Sequence, residues 1–183
     1  MSLTAKQKGV RRGIIVANAI AILVLVGSAL INPFHYDNNL DLMHKVAVVF
    51  KYLAVPGICL ALSIAALAKH RFFTPEDIDG SGLSDDATEK AKILQSIIQN
   101  TLEQAVLALM VYLFWATVMP ARFLSVIPTA AILFLLGRIF FSLGYVKGAP
   151  ARSTGFGLTF FPTMLLLFVG LVTVVCQSIV LAG

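Results

Sequence analysis

Long apolar runs alternate with short polar stretches along the chain, and this pattern predicts five membrane-spanning helices. Each apolar run is close to the about 20 residues that a helix needs to cross a bilayer. The five predicted spans cover about residues 13–32, 46–68, 93–118, 121–145 and 155–182. Pro56 and Pro162 fall inside spans, where neighbouring helices can satisfy the freed backbone groups. The pattern therefore predicts an all-α integral membrane protein.

The composition supports a membrane protein and argues against a nucleic-acid partner. Of the 183 residues, 58% are hydrophobic and 13% are charged, and the mean hydropathy is +0.90. A soluble domain typically carries about 25% charged residues. The net charge of +5 comes mostly from Lys and Arg residues that flank apolar runs, without the basic and aromatic interleaving typical of nucleic-acid binding. We therefore expect membrane lipids as partners and no nucleic acid.

The distribution of Lys and Arg predicts the orientation in the membrane. The first apolar run follows a basic segment, but it is longer than the hydrophobic region of a signal peptide, so we predict a retained helix. With the N-terminus inside, ten Lys or Arg residues lie in inner loops, and only Lys45 and Arg122 lie in outer ones. We therefore expect a cytoplasmic N-terminus and an external C-terminus. The basic N-terminus and the lack of an ER-retention tail make a bacterial inner membrane the expected location.

The inner loop after the second span contains part of a calcium-binding motif. In DIDGSG, Asp77, Asp79, Ser81 and Gly82 occupy positions 1, 3, 5 and 6 of a calcium loop. Position 12 normally holds a bidentate Glu, and here it is Thr88. A solvated acidic loop is therefore the favoured interpretation, and we expect no metal site.

Two charged residues lie deep within predicted spans, where a lone charge costs about 2.5–3.5 kcal/mol or more. Glu103 lies sixteen residues before Met119, and Arg138 lies sixteen residues after Arg122. Both therefore lie roughly 24 Å along their helices from the outer turn, at one depth near the inner surface. One interpretation is a buried ion pair that clamps the two helices together.

Further polar groups reach the same layer. Asn100 lies three residues before Glu103 and shares its helix face, and Arg138 and Tyr145 share a face of the next span. Arg152 follows at the inner start of the last span. Taken singly, Tyr145 fits an interfacial aromatic residue and Arg152 a cytoplasmic anchor. Because the cations of the layer outnumber its single carboxylate, the layer as a whole suits an anionic ligand.

Two motifs on successive spans resemble the MAPEG family, the membrane-associated proteins of eicosanoid and glutathione metabolism. NTLEQ, from Asn100 to Gln104, resembles the N-x-x-E motif of the family. GRIFFSLGYVKGAPARS, beginning at Gly137, resembles its arginine and tyrosine signature, followed by a short loop that ends in arginine. The loop GAPARS is similar to that of the prostaglandin E synthase branch. The resemblance covers about residues 46–182.

The resemblance implies a homotrimer of four-helix subunits that binds glutathione at subunit interfaces facing the cytoplasm. The positions that would contact glutathione are Asn100, Glu103, Arg138 and Tyr145. Arg152 would be the catalytic residue, matching the arginine that stabilises the glutathione thiolate. Residues 46–183 would form a MAPEG-like four-helix transmembrane domain. Residues 1–45 would form a basic segment with one additional N-terminal transmembrane helix.

Two positions depart from the family pattern. Ser96 stands four residues before the motif Asn, where family members often carry Arg. Phe141 stands three residues after the motif Arg, in place of an aromatic hydroxyl or imidazole. Both departures favour a non-catalytic member that binds a lipid or serves as a scaffold, which is the alternative function.

The resemblance implies a membrane glutathione transferase or peroxidase. Glutathione would be the cosubstrate, and a lipophilic electrophile or lipid hydroperoxide would arrive through the membrane. A small transporter or proton relay built on Glu103 is a third hypothesis. The sequence lacks the inverted repeats or paired broken helices that this third hypothesis requires.

Overall fold

The computed structural model describes residues 3–80 and 86–182 and contains five long helices. They are α1 (Ala5–Ile31), α2 (Leu42–Phe72), α3 (Glu89–Val118), α4 (Val126–Tyr145) and α5 (Ala149–Ala182). All five are long and apolar enough to cross a membrane, and the described residues contain no strand. The structure therefore confirms the predicted all-α membrane architecture.

Helices α1 and α3 begin several residues before the predicted apolar runs because polar residues cap their N-termini. The Thr4 hydroxyl accepts a hydrogen bond from the backbone N–H of Gln7, and the Gln7 side chain accepts one from the backbone N–H of Thr4. At the start of α3, the Thr88 hydroxyl accepts a hydrogen bond from the N–H of Ala91. Such caps satisfy N–H groups that have no partner within the helix. Helix boundaries therefore follow the caps rather than the ends of the apolar runs.

The helices form one bundle in which α5 packs against α1, α3 and α4, while α2 packs against α3 and α4. The largest core cluster includes the aromatic residues Tyr112, Trp115 and Phe134. The Trp115 indole donates a hydrogen bond of 3.1 Å to the backbone carbonyl of Phe123 in the α3–α4 turn. The core thus fixes this turn and, with it, the way α4 runs back along the bundle.

Glycines let α4 and α5 approach each other closely. A Cβ at Gly155 would lie 2.7 Å from the carbonyl oxygen of Gly137 and would collide with the backbone of Phe141. A Cβ at Gly144 would lie 2.6 Å from the carbonyl oxygen of Ala151. Small residues at such a contact allow backbones to meet where lipid supplies no hydrophobic driving force. The close approach brings the C-terminal half of α4 against the first turns of α5.

The additional N-terminal helix, α1, packs against α5 through small residues at every fourth position: Gly9, Gly13 and Ala17. Near the other end of α1, the Ser28 hydroxyl donates a hydrogen bond of 2.8 Å to the backbone carbonyl of Ser125. The hydroxyl groups of Ser28 and Thr129 also lie 2.8 Å apart. These contacts hold α1 to the bundle near both of its ends.

Asp77 departs from the expectation of a solvated acidic loop, whereas Glu76 and Asp79 beside it are exposed. It is 1% exposed, and its carboxylate accepts hydrogen bonds from the backbone N–H and the hydroxyl of Thr88 at 2.9 and 2.6 Å. The same carboxylate lies 2.9 Å from Nε2 of His70, so it joins the end of α2 to the start of α3. The hydrogen bonds from Thr88 lower the pKa of Asp77. Ser81 and Gly82 of the partial calcium motif lie outside the described residues.

Candidate functional site

Arg138 lies in the bundle interior, where α3, α4 and α5 meet. It is only 5% exposed. Its Nη1 donates a hydrogen bond to Oδ1 of Asn100, and its Nη2 donates one to Oγ1 of Thr159, both at 2.9 Å. The guanidinium also lies 4.5 Å from the ring centroid of Phe141. Arg138 therefore joins three helices through neutral partners.

Glu103 does not pair with Arg138 in the single chain, so the ion pair inferred from their common depth is wrong there. Glu103 is exposed, and its carboxylate accepts a hydrogen bond of 2.9 Å from the side-chain amide of Gln99. The buried face of α3 runs through Thr101 and Gln104. Equal depth means only that two residues lie at the same level along their helices. The rotation of each helix about its axis decides whether their side chains meet.

Aromatic rings connect Arg138 to Arg152. The ring of Phe141, which lies against Arg138, makes an edge contact with the Tyr145 ring at a centroid distance of 5.4 Å. The Arg152 guanidinium in turn lies 4.1 Å from the Tyr145 ring centroid. Among the described residues, the Arg152 guanidinium has no hydrogen-bond partner. A cation–π contact therefore positions Arg152 and leaves its N–H donors available to a ligand.

Arg152 and Tyr145 border a cleft of about 380 Å³ between α1, α3, α4 and α5. Its polar lining residues are Ser96, Asn100, Tyr145, Arg152 and Ser153. None of the described residues that line it carries a carboxylate. The volume falls within the range of about 300–1,000 Å³ that is usual for small-molecule sites. Because the cleft carries a cation and no carboxylate, it suits an anionic ligand.

The five predicted site residues occupy three different positions relative to this cleft. Asn100, Tyr145 and Arg152 line it. Arg138 lies behind the lining and contacts Asn100 and the ring of Phe141. Glu103 borders a neighbouring cleft of about 340 Å³ that shares Asn100 with the first. The structure therefore gathers four of the five residues and separates Glu103 from them.

The sequence analysis missed two kinds of residue at the site. Thr159 holds Arg138, and a signal for it exists: Gly155, Thr159 and Thr163 recur at every fourth position of an otherwise apolar run. Val10 and Ile14 of α1 also line the cleft. No sequence signal distinguishes these two residues from the other apolar residues of α1.

Comparison with protein-family models places the chain in a known family. The MAPEG family model matches residues 43–172, from the start of α2 into α5, and this range includes both motifs and all five predicted site residues. Comparisons with curated proteins and with solved structures give no match. The MAPEG family is a helical membrane bundle broadly associated with glutathione. The match covers well over half of the chain and confirms the resemblance carried by the two motifs, so the chain belongs to the MAPEG family.

Proposed function

We propose that this protein is a membrane glutathione transferase or glutathione-dependent peroxidase. Family membership supports a role of this type at the level of the family. The observation that carries the proposal is the Arg152 guanidinium, which lies on the Tyr145 ring at 4.1 Å beside a cleft of about 380 Å³. Glutathione carries two carboxylates and a thiol that ionises, and it matches a cleft with a cation and several neutral donors.

Arg152 would activate the thiol by stabilising its anion. A thiol like that of glutathione has a pKa of about 8.5 and is mostly protonated at neutral pH. A guanidinium beside the sulfur lowers that pKa, and a decrease of about 2 units corresponds to about 2.7 kcal/mol. The thiolate then attacks an electrophilic carbon or a peroxide oxygen of a lipophilic substrate. In the peroxide reaction the sulfur bonds to the terminal peroxide oxygen as the O–O bond breaks, which gives glutathione sulfenic acid, and the departing alkoxide takes a proton to become an alcohol. A second glutathione then condenses with the sulfenic acid to give glutathione disulfide and water.

The remaining predicted residues would bind the tripeptide. Asn100 and Tyr145 line the cleft and offer an amide and a hydroxyl group to its carboxylates. Arg138 would act through Asn100, whose side chain it holds at 2.9 Å. Glu103 would receive the α-ammonium of glutathione, since a carboxylate is the natural partner for that group.

Glu103 also supports assembly into a homotrimer. It belongs to a polar stripe on α3 that borders the neighbouring cleft, formed by Gln95, Ser96, Gln99, Asn100 and Glu103. A carboxylate left in lipid costs about 2.5–3.5 kcal/mol on insertion scales. A second copy of the chain packed on this stripe would remove that cost and would bring Glu103 into a shared site. Native mass spectrometry in detergent tests this assembly, and a stable monomer or dimer would contradict it.

The ultraviolet absorbance of the glutathione thiolate tests the proposed function directly. Purified protein mixed with glutathione at neutral pH is expected to show thiolate absorbance, and Arg152→Ala is expected to lose it. Lys147→Ala is the matched control, because Lys147 is an exposed cation in the turn just before α5 and does not line the cleft. Equal thiolate absorbance in the parent protein and in Arg152→Ala would refute the assignment of Arg152.

One observation favours a second function, that of a non-catalytic scaffold or lipid-binding member. Nη1 and Nη2 of Arg138 are directed to Asn100 and Thr159, and Phe141 offers no polar group to the cleft. A site with these features binds the tripeptide through fewer contacts than one with a free arginine. Under this second function, the parent protein shows no thiolate absorbance at any glutathione concentration.

We further propose that the N-terminus is cytoplasmic and the C-terminus external, in a bacterial inner membrane. Five helices that can cross a membrane place the two termini on opposite sides if all of them cross. Arg11 and Arg12 at the start of α1 are exposed, as expected for residues that anchor a helix at the cytoplasmic surface. Residues 1–45 and 46–183 remain the proposed division between the additional segment and the four-helix domain.

A further inference from the structure

The N-terminal half of α1 forms one wall of the cleft beside Arg152, although α1 precedes the family match at residues 43–172. Val10 and Ile14 lie four residues apart on one face of α1, and both line the cleft together with Tyr145 and Arg152. Ile14 is 37% exposed, so part of its side chain is open to a ligand. The four helices matched by the family model therefore do not complete this cleft by themselves.

This wall is held firmly in place. A Cβ at Gly9 would lie 2.8 Å from the Cβ of Pro150, and a Cβ at Gly13 would collide with the Ser153 hydroxyl. Pro150 and Ser153 flank Arg152 in the first turns of α5. Helices that meet at such short range cannot move apart or rotate without losing these contacts. The position of Val10 and Ile14 relative to Arg152 is therefore set by direct packing.

The wall is also apolar, although α1 begins with several cations. Lys8, Arg11 and Arg12 border a separate cleft of about 320 Å³, and none of them lines the cleft beside Arg152. The cleft thus has polar and cationic groups from α3, α4 and α5, and a hydrocarbon surface from α1. Such an arrangement suits two substrates of different character, one polar and anionic and the other lipophilic.

We propose that Val10 and Ile14 form the binding surface for the hydrocarbon part of the lipophilic substrate and select substrates by chain length. This inference rests on the proposed function, in which Arg152 holds the glutathione thiolate in the same cleft. A reacting carbon must approach the sulfur to about 3–3.5 Å. The hydrocarbon tail of the substrate then lies beside the reaction centre, where α1 supplies the apolar surface. Ile15, the next residue, is 59% exposed and does not line the cleft.

A homologous series of 2-alkenals of increasing chain length is a suitable probe, since the reacting double bond is the same in every member. The thiolate sulfur bonds to the β-carbon, the π electron pair moves to the α-carbon and carbonyl, and the α-carbon takes a proton from water. Only the length of the tail changes along the series. Any change in kcat/KM along it therefore reports contacts made by the tail.

The experiment compares Ile14→Ala with Ile15→Ala in the full-length chain. Removing three side-chain carbons from the wall is expected to lower kcat/KM about tenfold for the longest alkenals, with little effect on the shortest. Ile15→Ala is expected to leave the chain-length dependence as in the parent protein. Thiolate absorbance is measured on all three proteins and is expected to be equal.

The outcomes separate this inference from the proposed function. If the parent protein forms no thiolate, both the proposed function and the inference are overturned. If thiolate forms but Ile14→Ala keeps the chain-length dependence of the parent, or if the parent has none, only the inference is overturned. Thiolate formation without turnover of any alkenal also overturns the inference. A loss of thiolate in a folded Ile14→Ala variant would assign Ile14 to glutathione binding and would overturn its assignment to the tail.

Discussion

Replacing Arg138 by Met tests the geometry of the bundle interior. Met keeps an unbranched apolar stem that ends near the position of Nε and has no hydrogen-bond donor, so the variant loses the two bonds of 2.9 Å to Asn100 and Thr159. Hydrogen bonds to charged groups contribute about 1.5–3 kcal/mol each. Removing a buried cation offsets most of this loss, because the desolvation of such an ion costs several kcal/mol.

The groups left behind determine the net effect. Thr159 keeps a second hydrogen bond of 2.8 Å to the backbone carbonyl of Phe156, and Asn100 lines a cleft where water can replace the guanidinium. Neither partner is left buried and unpaired. We therefore expect Arg138→Met to lower the free energy of unfolding by less than about 2 kcal/mol, whereas breaking a buried ion pair would cost about 3–5 kcal/mol.

Double-mutant cycles in detergent identify the partner of Arg138. Unfolding free energies are measured for Arg138→Met, for Asn100→Ala and for the double variant, and a coupling of about 1–2 kcal/mol is expected. The matched cycle with Glu103→Gln is expected to show less than about 0.5 kcal/mol. A coupling of several kcal/mol between Arg138 and Glu103, with none to Asn100, would refute the geometry described here.

Three further predictions concern packing, pH dependence and orientation. Gly155→Ala places a methyl group against the Phe141 backbone and is expected to destabilise the bundle by about 1–3 kcal/mol in thermal denaturation; Gly27→Ala, where a Cβ would meet nothing within 4 Å, is the control and is expected to be neutral or stabilising. The pKa of Asp77 is lowered by the hydrogen bonds from Thr88, so its contribution to stability is present above the unfolded-state pKa of about 3.9 and is lost as the pH falls through the folded-state pKa. Asp77→Asn is expected to weaken this acid dependence. The same change in melting temperature between neutral and acidic pH in the parent protein and in Asp77→Asn would contradict this prediction. A reporter enzyme fused to the C-terminus is expected to be active only outside the cytoplasm, and cytoplasmic activity would mean that one helix does not cross the membrane.

The number and type of helices were predictable from the sequence because the bilayer imposes a simple length requirement. Five apolar runs near 20 residues predicted five spans, and the structure has five helices that can cross a membrane. The two motifs predicted the family for a different reason: they place Asn100, Arg138 and Tyr145 at definite positions on successive helices. Both kinds of inference depend on distance along the chain, which the sequence states directly.

The directions in which the helices face were decided only by the tertiary structure. Lipid is as apolar as a helix interface, so hydropathy does not reveal which side of a membrane helix meets another helix. For this reason Glu103 was expected beside Arg138, whereas the rotation of α3 turns Asn100 and Thr101 toward Arg138 and leaves Glu103 outside. Asp77 was likewise expected in solvent because its neighbours are polar, yet the return of the chain to Thr88 buries it.

The placement of α1 is the clearest example of a feature that the sequence did not predict. Its sequence predicted a membrane helix but contained nothing that specified a partner helix. Only the fit of Gly9 and Gly13 against the start of α5 decided that α1 lies beside Arg152. Packing of this kind depends on the shapes of two surfaces that are more than a hundred residues apart in the chain. The membrane requirement alone would allow α1 to lie anywhere in the bilayer. Its packing against α5 makes it a wall of the candidate site.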